Sequence, residues 1–167
     1  MERAREILAL DAGWRFHLGD VASPVPNDSH IAAYMANKAG WARGAARGNF
    51  DDSDWRAVDL PHDWSVEGDF SPSNYLDNAF LPRGVGWYRR YFTLDPSADR
   101  ERAVWLEFEG VASHCTVFVN GHLLHRHFDG YTSFTVDVTD VARFGEDELN
   151  VVAVRVDATP IEGWWYE

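Results

Sequence analysis

Cysteine, lysine and long apolar runs are all scarce in this sequence. Cys115 is its single cysteine, so no disulfide can form within the chain and nothing calls for an oxidising compartment. The first residues, MERAREILALDAGW, lack the apolar stretch of about 7–15 residues that marks a secretory signal peptide. No run approaches the roughly 18 apolar residues of a membrane-spanning helix. These absences predict a cytoplasmic protein without a membrane partner.

Positive charge is also in short supply. Lysine and arginine together number 15 against 27 aspartate and glutamate residues, which gives a net charge of −12. Nucleic acid phosphates and anionic lipid surfaces repel such a chain. The charge balance therefore argues against nucleic acid as a partner.

Apolar and aromatic residues, by contrast, are plentiful. Of the 167 residues, 46% are hydrophobic and 14% aromatic, which suits one packed domain and leaves too little chain for two. Because aromatic side chains favour strands, we expect most of the rings to fill a β-core and the others to line a sugar or partner surface.

The clearest local pattern lies near the middle of the chain. Leu106 and Phe108 alternate with Trp105 and Glu107, which is the period of a strand with two different faces. Further along, Asn120-Gly121 separates two apolar runs, and this pair tolerates positive φ at both positions of a type I′ hairpin turn. The pattern predicts antiparallel β-sheet.

Strand patterns continue on both sides of this hairpin. They cover residues 5–18, 55–60, 86–94, 130–138 and 149–156, and Pro61 marks its neighbouring strand as an edge or a strand end. About eight short strands with few βαβ signals predict an all-β fold, a β-sandwich of the jelly-roll kind.

One segment departs from this pattern. Residues 22–49 are Ala-rich after Pro24 and Pro26, and they predict a surface insertion with one short helix. Ser29 is the expected N-cap, and Gly44 or Gly48 the expected end. A mobile loop is the alternative.

Five segments of the chain resemble the N-terminal domain of glycoside hydrolase family 2, the β-galactosidase and β-glucuronidase group. They occur in the family's order and cover most of the chain: WRAVDLPHDWSVEG (55–68), GVGWYRRYFTL (84–94), LEFEGVASHCTVFVNGHLL (106–124), GYTSFTVDVTD (130–140) and ELNVVAVRVD (148–157).

The resemblance implies that this chain is one domain of a larger protein and that the catalytic residues lie in another domain. Residues 1–157 would form the jelly-roll sugar-binding domain, a sandwich of the galactose-binding-domain type. Residues 158–167 would begin the linker to a downstream immunoglobulin-like domain and a catalytic (β/α)8 barrel. The family's two catalytic glutamates lie in that barrel, which needs about 250 residues. The retaining glycosidase would therefore hold its carboxylate pair outside this segment.

The resemblance also implies two substrate-contacting residues. Asp157 matches a family aspartate that helps to bind galactose and a nearby cation, so a sodium or magnesium ion is expected only in the full enzyme. Asn78 resembles an asparagine in a loop that reaches the active site, and an amide suits sugar hydroxyls because it both donates and accepts. For both residues the alternative is a turn former that bonds its own backbone.

Three aromatic residues stand together near the end of the sequence. Trp164, Trp165 and Tyr166 are expected to pack against downstream domains, although Trp165 could instead stack on a sugar. A further alternative is that the rings fold back onto the sandwich.

Two other groups invite a chemical interpretation. His62 and Asp63 are adjacent, and neighbours on a strand point to opposite faces, so the structural interpretation is preferred, with Trp64 in the core. His125 and His127 share a strand face with His114 and His122 nearby, yet no cysteine or carboxylate spacing completes a metal site. We expect no metal or cofactor in this segment.

Three functions remain open on this evidence. The first is a non-catalytic domain that forms a wall of the active site in a family 2 glycosidase acting on β-galactosides, with a homo-oligomeric parent enzyme as one option. The second is a freestanding carbohydrate-binding module, and the third is a structural or oligomerisation domain.

Overall fold

A computed structural model describes residues 5–23, 29–74, 76 and 79–159 of the chain. This part contains eight strands and two α-helices, with a 3₁₀ turn at Gly44–Ala46. In chain order the elements are β1 (Trp14–Leu18), α1 (His30–Lys38), β2 (Arg56–Val58), β3 (Val85–Phe92), α2 (Pro96–Asp99), β4 (Trp105–Phe108), β5 (His114–Val119), β6 (His122–His127), β7 (Phe134–Asp137) and β8 (Asn150–Asp157). No helix of the described residues is long and apolar enough to cross a membrane.

The described strands form two antiparallel sheets. The larger has six strands in the order β2-β1-β3-β8-β5-β6, and the smaller pairs β4 with β7. The predicted all-β sandwich of the galactose-binding-domain type is therefore confirmed. β2 lies at the edge of the larger sheet, as the position of Pro61 indicated.

The predicted hairpin joins β5 to β6. Asn120 and Gly121 have φ angles of 52° and 84°, which is the left-handed conformation that a type I′ turn requires. A β-carbon on Gly121 would lie 2.6 Å from the carbonyl oxygen of Gly40, so the turn also packs tightly against the segment that follows α1.

The space between the sheets holds the main core. Along β8, Val152, Val154 and Val156 point toward the smaller sheet, where Leu106 and Val136 meet them. Leu106 is buried while its neighbours Trp105 and Glu107 are exposed, which confirms the alternation predicted for β4.

The insertion contains the predicted helix, but the helix ends earlier than expected. Ser29 caps α1 by accepting a bond from the amide of Ala32 at 3.2 Å, as predicted. The expected end at Gly44 or Gly48 is wrong, because Gly40 turns the chain with a φ of 81° and the amide of Trp41 bonds to Ala36. A positive-φ glycine directly after the last turn ends a helix more effectively than a later one.

The segment after α1 covers the outer face of the larger sheet. Ala42, Ala45 and Ala46 are buried there against Trp87 and Phe118. The small alanine side chains let this backbone lie close to the sheet. The insertion is thus partly a second core layer rather than only a surface feature.

Two strand-level predictions differ from the structure. The expected opening strand over residues 5–18 begins only at Trp14, because Gly13 adopts a φ of 77° that breaks the extended run. The one-turn helix α2 was not predicted, although Asp95 caps it and Pro96 occupies its first position, which is the usual signature of a helix start. Of the aromatic residues in the described ranges, seven are buried and seven exposed, while half-buried Phe50, Phe92, Phe108 and Phe134 also pack against the core. More of these rings therefore contact the core than lie exposed, in line with the expectation.

Candidate functional site

Asp157 lies where the larger sheet ends. It is the last residue of β8, and it pairs with Val85 of β3 on one side and His114 of β5 on the other. Because Val156 packs between the sheets, the alternation of the strand turns Asp157 to the outer face. The residue borders a groove of 710 Å³, a size typical of small-ligand sites. Polar and aromatic residues line it, among them Asp20, His114, Arg126, Phe128, Arg155 and Asp157.

Neighbouring groups hold the Asp157 carboxylate in place. Its Oδ1 accepts from the amide of Thr159 at 3.1 Å and from the hydroxyl of Thr159 at 2.5 Å. Its Oδ2 accepts from Nη1 of Arg155 at 3.2 Å. The turn-forming geometry that was the alternative for this residue is therefore present, and it fixes the direction in which the carboxylate points.

Arg155 links Asp157 to a second carboxylate. Its Nη2 donates to Oδ2 of Asp20 at 2.7 Å, and its Nε lies 3.2 Å from both oxygens of that carboxylate. The indole of Trp87 donates to Oδ1 of Asp20 at 2.8 Å. Four side chains, from β3, β8 and the segment after β1, thus form one hydrogen-bonded network along the groove.

The network keeps both carboxylates ionised. Burial opposes the charge on Asp157, but the bonds from Thr159 and the nearby Arg155 outweigh it and lower the pKa of Asp157. The hydrogen bond from Arg155 lowers the pKa of Asp20, helped by Trp87 and against partial burial. Asp20 in turn raises the pKa of Arg155.

The chemistry of this arrangement suits hydrogen bonding to hydroxyl groups and does not suit the cleavage of a glycoside. An ionised carboxylate accepts hydrogen bonds from hydroxyl groups, and an adjacent guanidinium can donate to others. Glycoside cleavage also needs a carboxylic acid whose pKa is raised so that it can protonate the leaving group. The shifts at Asp20 and Asp157 have the opposite sign, so neither carboxylate is such an acid.

The other predicted site residues lie outside the described ranges. These are Asn78, Trp164, Trp165 and Tyr166. Near the first of them, the amide nitrogen of the Asn74 side chain donates to the carbonyl of Phe80 at 2.9 Å. The predictions for these four residues stay predictions.

The His62-Asp63-Trp64 motif is structural, as its sequence position indicated. Nδ1 of His62 lies 2.8 Å from the hydroxyl of Tyr88, while Asp63 accepts from the amide of Ser65 at 2.9 Å. The two side chains therefore bond to different partners and do not form a dyad. Trp64 is buried in the core.

The histidine-rich strand is an aromatic stack. His125 and His127 share one face, as predicted, with ring centroids 5.1 Å and 4.2 Å from that of Phe134. Burial and the neighbouring His127 lower the pKa of His125. Across the described ranges no three His, Cys, Asp or Glu side chains come close enough together to hold a metal ion.

Sequence reasoning missed Asp20 and Arg155. Arg155 is two residues before Asp157 and so shares its face of β8, a signal that the period of the strand carried. Asp20 follows β1 and comes beside them only through the order of strands in the sheet. Nothing in the local sequence around residue 20 indicates that contact.

A family profile matches the larger part of the chain. The family described as glycosyl hydrolase 2 galactose-binding domain-like matches residues 57–162. A β-galactosidase from Bacteroides ovatus is 41% identical over 165 residues, which is 97% of this chain and 17% of that protein.

Solved structures of glycosidases are also similar to this chain. A glycosyl hydrolase family 2 member from Bacteroides cellulosilyticus superposes with a TM-score of 0.67 and 32% identity, over 91% of this chain and 18% of that one. A β-glucuronidase from Bacteroides uniformis has a TM-score of 0.68 and 27% identity, over 92% of this chain and 15% of that one. The sequence thus spans less than a fifth of the length of these relatives.

Proposed function

Since the chain belongs to the galactose-binding-like N-terminal domains of glycoside hydrolase family 2, we propose that it forms a non-catalytic wall of the sugar site in a larger glycosidase. The position and charge of Asp157 carry this proposal. Its carboxylate is ionised, held in one direction and open to a groove at the end of the sheet. A partner domain that covers this end would place its substrate beside Asp157.

The substrate class we propose is a terminal β-galactoside. The support is the 41% identity to the Bacteroides ovatus β-galactosidase over nearly the whole chain. A β-glucuronide is the alternative, because proteins named β-glucuronidase are also among the relatives. Asn78 is proposed as a second sugar contact, and downstream immunoglobulin-like and barrel domains as the partners that complete the site.

A cation at Asp157 needs ligands from elsewhere. Both oxygens of this carboxylate already accept hydrogen bonds, and one of them lies 3.2 Å from a guanidinium nitrogen of Arg155. A positive neighbour at that distance opposes cation binding. The described residues around Asp157 alone therefore do not fit a sodium or magnesium ion.

The proposal is tested by Asp157→Ala in the full enzyme. We expect kcat/KM for an aryl β-galactoside to fall about 10- to 150-fold, the range for losing a hydrogen bond from a charged group. The measurement is initial rates with aryl galactoside and aryl glucuronide, which also decides between the two substrate classes.

Asp137→Ala is a matched control for this variant. Asp137 also ends a strand and accepts from the amide of a threonine two residues later, at 2.9 Å, but it is exposed on the smaller sheet. We expect its kcat/KM to stay at the level of the unchanged enzyme. Equal losses in both variants, or no loss in Asp157→Ala, would contradict the proposed role of the groove.

The 167-residue chain by itself distinguishes the competing functions. A wall domain binds galactosides weakly because other domains complete its site. A freestanding carbohydrate-binding module would bind glycan alone and lose it when an exposed ring such as Trp41 or Trp105 is replaced. An oligomerisation domain would self-associate without binding sugar. Calorimetric titration together with light scattering separates these outcomes.

A further inference from the structure

The groove beside Asp157 extends across three strands of the larger sheet. Arg126 of β6 is paired with Thr116 of β5, and Thr116 is paired in turn with Arg155 of β8. Two residues along, toward the end of the sheet, His114 is paired with Asp157. Because neighbouring strands lie about 4.8 Å apart and alternate residues about 6.8 Å apart, the backbones of Arg126 and Asp157 are separated by about 12 Å. That distance exceeds the length of one pyranose ring, so the groove has room for a second sugar unit.

An exposed aromatic ring borders this part of the groove. Phe128 directly follows β6, lines the groove and is 62% exposed. Its ring makes an edge contact with the imidazole of His114, with the centroids 5.1 Å apart and an angle of 88° between the planes. Ligand sites combine such aromatic surfaces with a few polar groups that fix the orientation of the ligand. The groove therefore offers a second unit both an apolar surface and polar partners.

Positive charge predominates in the groove, although the whole chain carries a net charge of −12. The described residues that line it include three arginines, Arg43, Arg126 and Arg155, and two carboxylates, Asp20 and Asp157. Arg155 already bonds to both carboxylates, so neither of them neutralises Arg126. A site with this balance attracts an anionic ligand.

Arg126 is well placed to bind such a ligand. It is exposed, and among the described residues it has no ion-pair partner. A guanidinium binds a carboxylate or a tetrahedral oxyanion such as a sulfate through two parallel hydrogen bonds. Once a partner domain covers the groove, an arginine without a counter-charge would lose its hydration at a cost in free energy. A substrate that carries the negative charge removes this cost.

We propose that Arg126 is a specificity-determining residue, which binds an anionic group, a carboxylate or a sulfate, on the second sugar unit of the glycoside. Phe128 lies beside that unit. This assignment rests on the proposed function, in which the terminal sugar lies at Asp157 and a partner domain covers the groove. The enzyme would then favour acidic glycans over neutral disaccharides. That preference is separate from the choice between a galactoside and a glucuronide at the terminal unit.

Initial rates of the full enzyme on matched disaccharides test the proposal. The terminal sugar is the one that the aryl substrates identify, and the second unit is glucose, glucuronic acid or a glucose sulfate. We expect the unchanged enzyme to prefer one of the two acidic substrates, and the preferred one distinguishes a carboxylate from a sulfate. Arg126→Met should raise KM for that substrate at least about tenfold, while kcat and the KM for the neutral substrate stay the same. Arg126→Lys should retain part of the preference, since it keeps the charge but not the planar fork.

Arg143→Met is the matched control. It removes the same charge from an exposed arginine at the opposite end of β8, where the amide of Arg143 donates to Asn150 at 2.8 Å. We expect this variant to keep the preference for the acidic substrate. Equal losses in the two methionine variants, or no preference in the unchanged enzyme, would overturn the proposal. A KM that rises alike for neutral and acidic substrates in Arg126→Met would overturn it in favour of a contact with the partner domain.

Asp157→Ala separates a failure of the Arg126 proposal from a failure of the proposed function. If the groove belongs to the sugar site, this variant loses kcat/KM for neutral and acidic substrates alike. That loss, together with an unchanged preference in Arg126→Met, would overturn only the role of Arg126. No loss in Asp157→Ala would overturn the proposed function and the role of Arg126 with it.

Discussion

Arg89 is a buried arginine that needs several hydrogen-bond partners within the fold. Its side chain is fully buried in the larger sheet, where Nε donates to Asp52 at 2.7 Å and Nη2 to the hydroxyl of Tyr91 at 3.0 Å. Nη1 donates to the backbone carbonyls of Ala45 and Arg47. This one guanidinium thus pairs with a buried carboxylate and also donates hydrogen bonds to the segment that covers the outer face of the larger sheet.

Replacing Arg89 by Met should destabilise the domain by about 3–5 kcal/mol, because it leaves the Asp52 carboxylate buried without its partner. Urea unfolding followed by circular dichroism measures the change. Arg126→Met is the control, since Arg126 is exposed on the same face of the sheet and should stay within about 0.5 kcal/mol. A loss below about 1 kcal/mol for Arg89→Met would show that the pair contributes little.

The sequence allowed some of these residues to be predicted and not others. Asp157 could be placed at the end of a strand because the valine-rich apolar run of residues 149–156 stops there. The partners of Arg89 could not be predicted, because Asp52 and Ala45 lie 37 and 44 residues away and meet it only after the insertion folds over the sheet. Local patterns contain no information about such distant pairs.

At the scale of elements, the β5–β6 hairpin also anchors the insertion. The amide of Ala42 donates to the carbonyl of Gly121 at 3.1 Å, and there is no room for a β-carbon on Gly121 next to Gly40. The hairpin could be predicted because Asn-Gly determines its own turn locally. The contact between this turn and Ala42, 79 residues earlier in the chain, could not be predicted from the local sequence.

Gly121→Ala should therefore cost more than an ordinary glycine substitution. We expect a loss of about 2–4 kcal/mol, since alanine disfavours a φ of 84° and its β-carbon would displace the backbone of Gly40. Thermal and urea unfolding provide the measurement.

Gly48→Ala is the matched substitution. A β-carbon there would meet Val151 at 3.8 Å, an ordinary contact, and the φ of Gly48 is not in the left-handed region. We expect this variant to change stability by less than about 1 kcal/mol in either direction. If the two alanine variants were equally stable, the tight packing of the turn on the insertion would not contribute.

At the scale of the whole molecule, the larger sheet is a middle layer. One face packs on β4 and β7, and the other on the segment that follows α1. This explains why β8 is buried along nearly its whole length instead of alternating with solvent. The fold class could be predicted from strand spacing, but this third layer could not, because an alanine-rich segment has the same composition whether it lies on a surface or in a core.

The layered arrangement assigns different roles to the two halves of the insertion. None of the residues of α1 is buried, whereas Ala42 in the segment after it is only 4% exposed. Replacing residues 30–38 with nine glycine and serine residues should therefore reduce the free energy of unfolding by less than about 1 kcal/mol, because lengthening a flexible loop costs little. Ala42→Asp should cost more than about 2 kcal/mol, since it buries a carboxylate against Trp87 and Phe118. Urea unfolding of the two variants side by side decides the matter: if the helix replacement were the more damaging, α1 rather than the segment after it would cover the sheet.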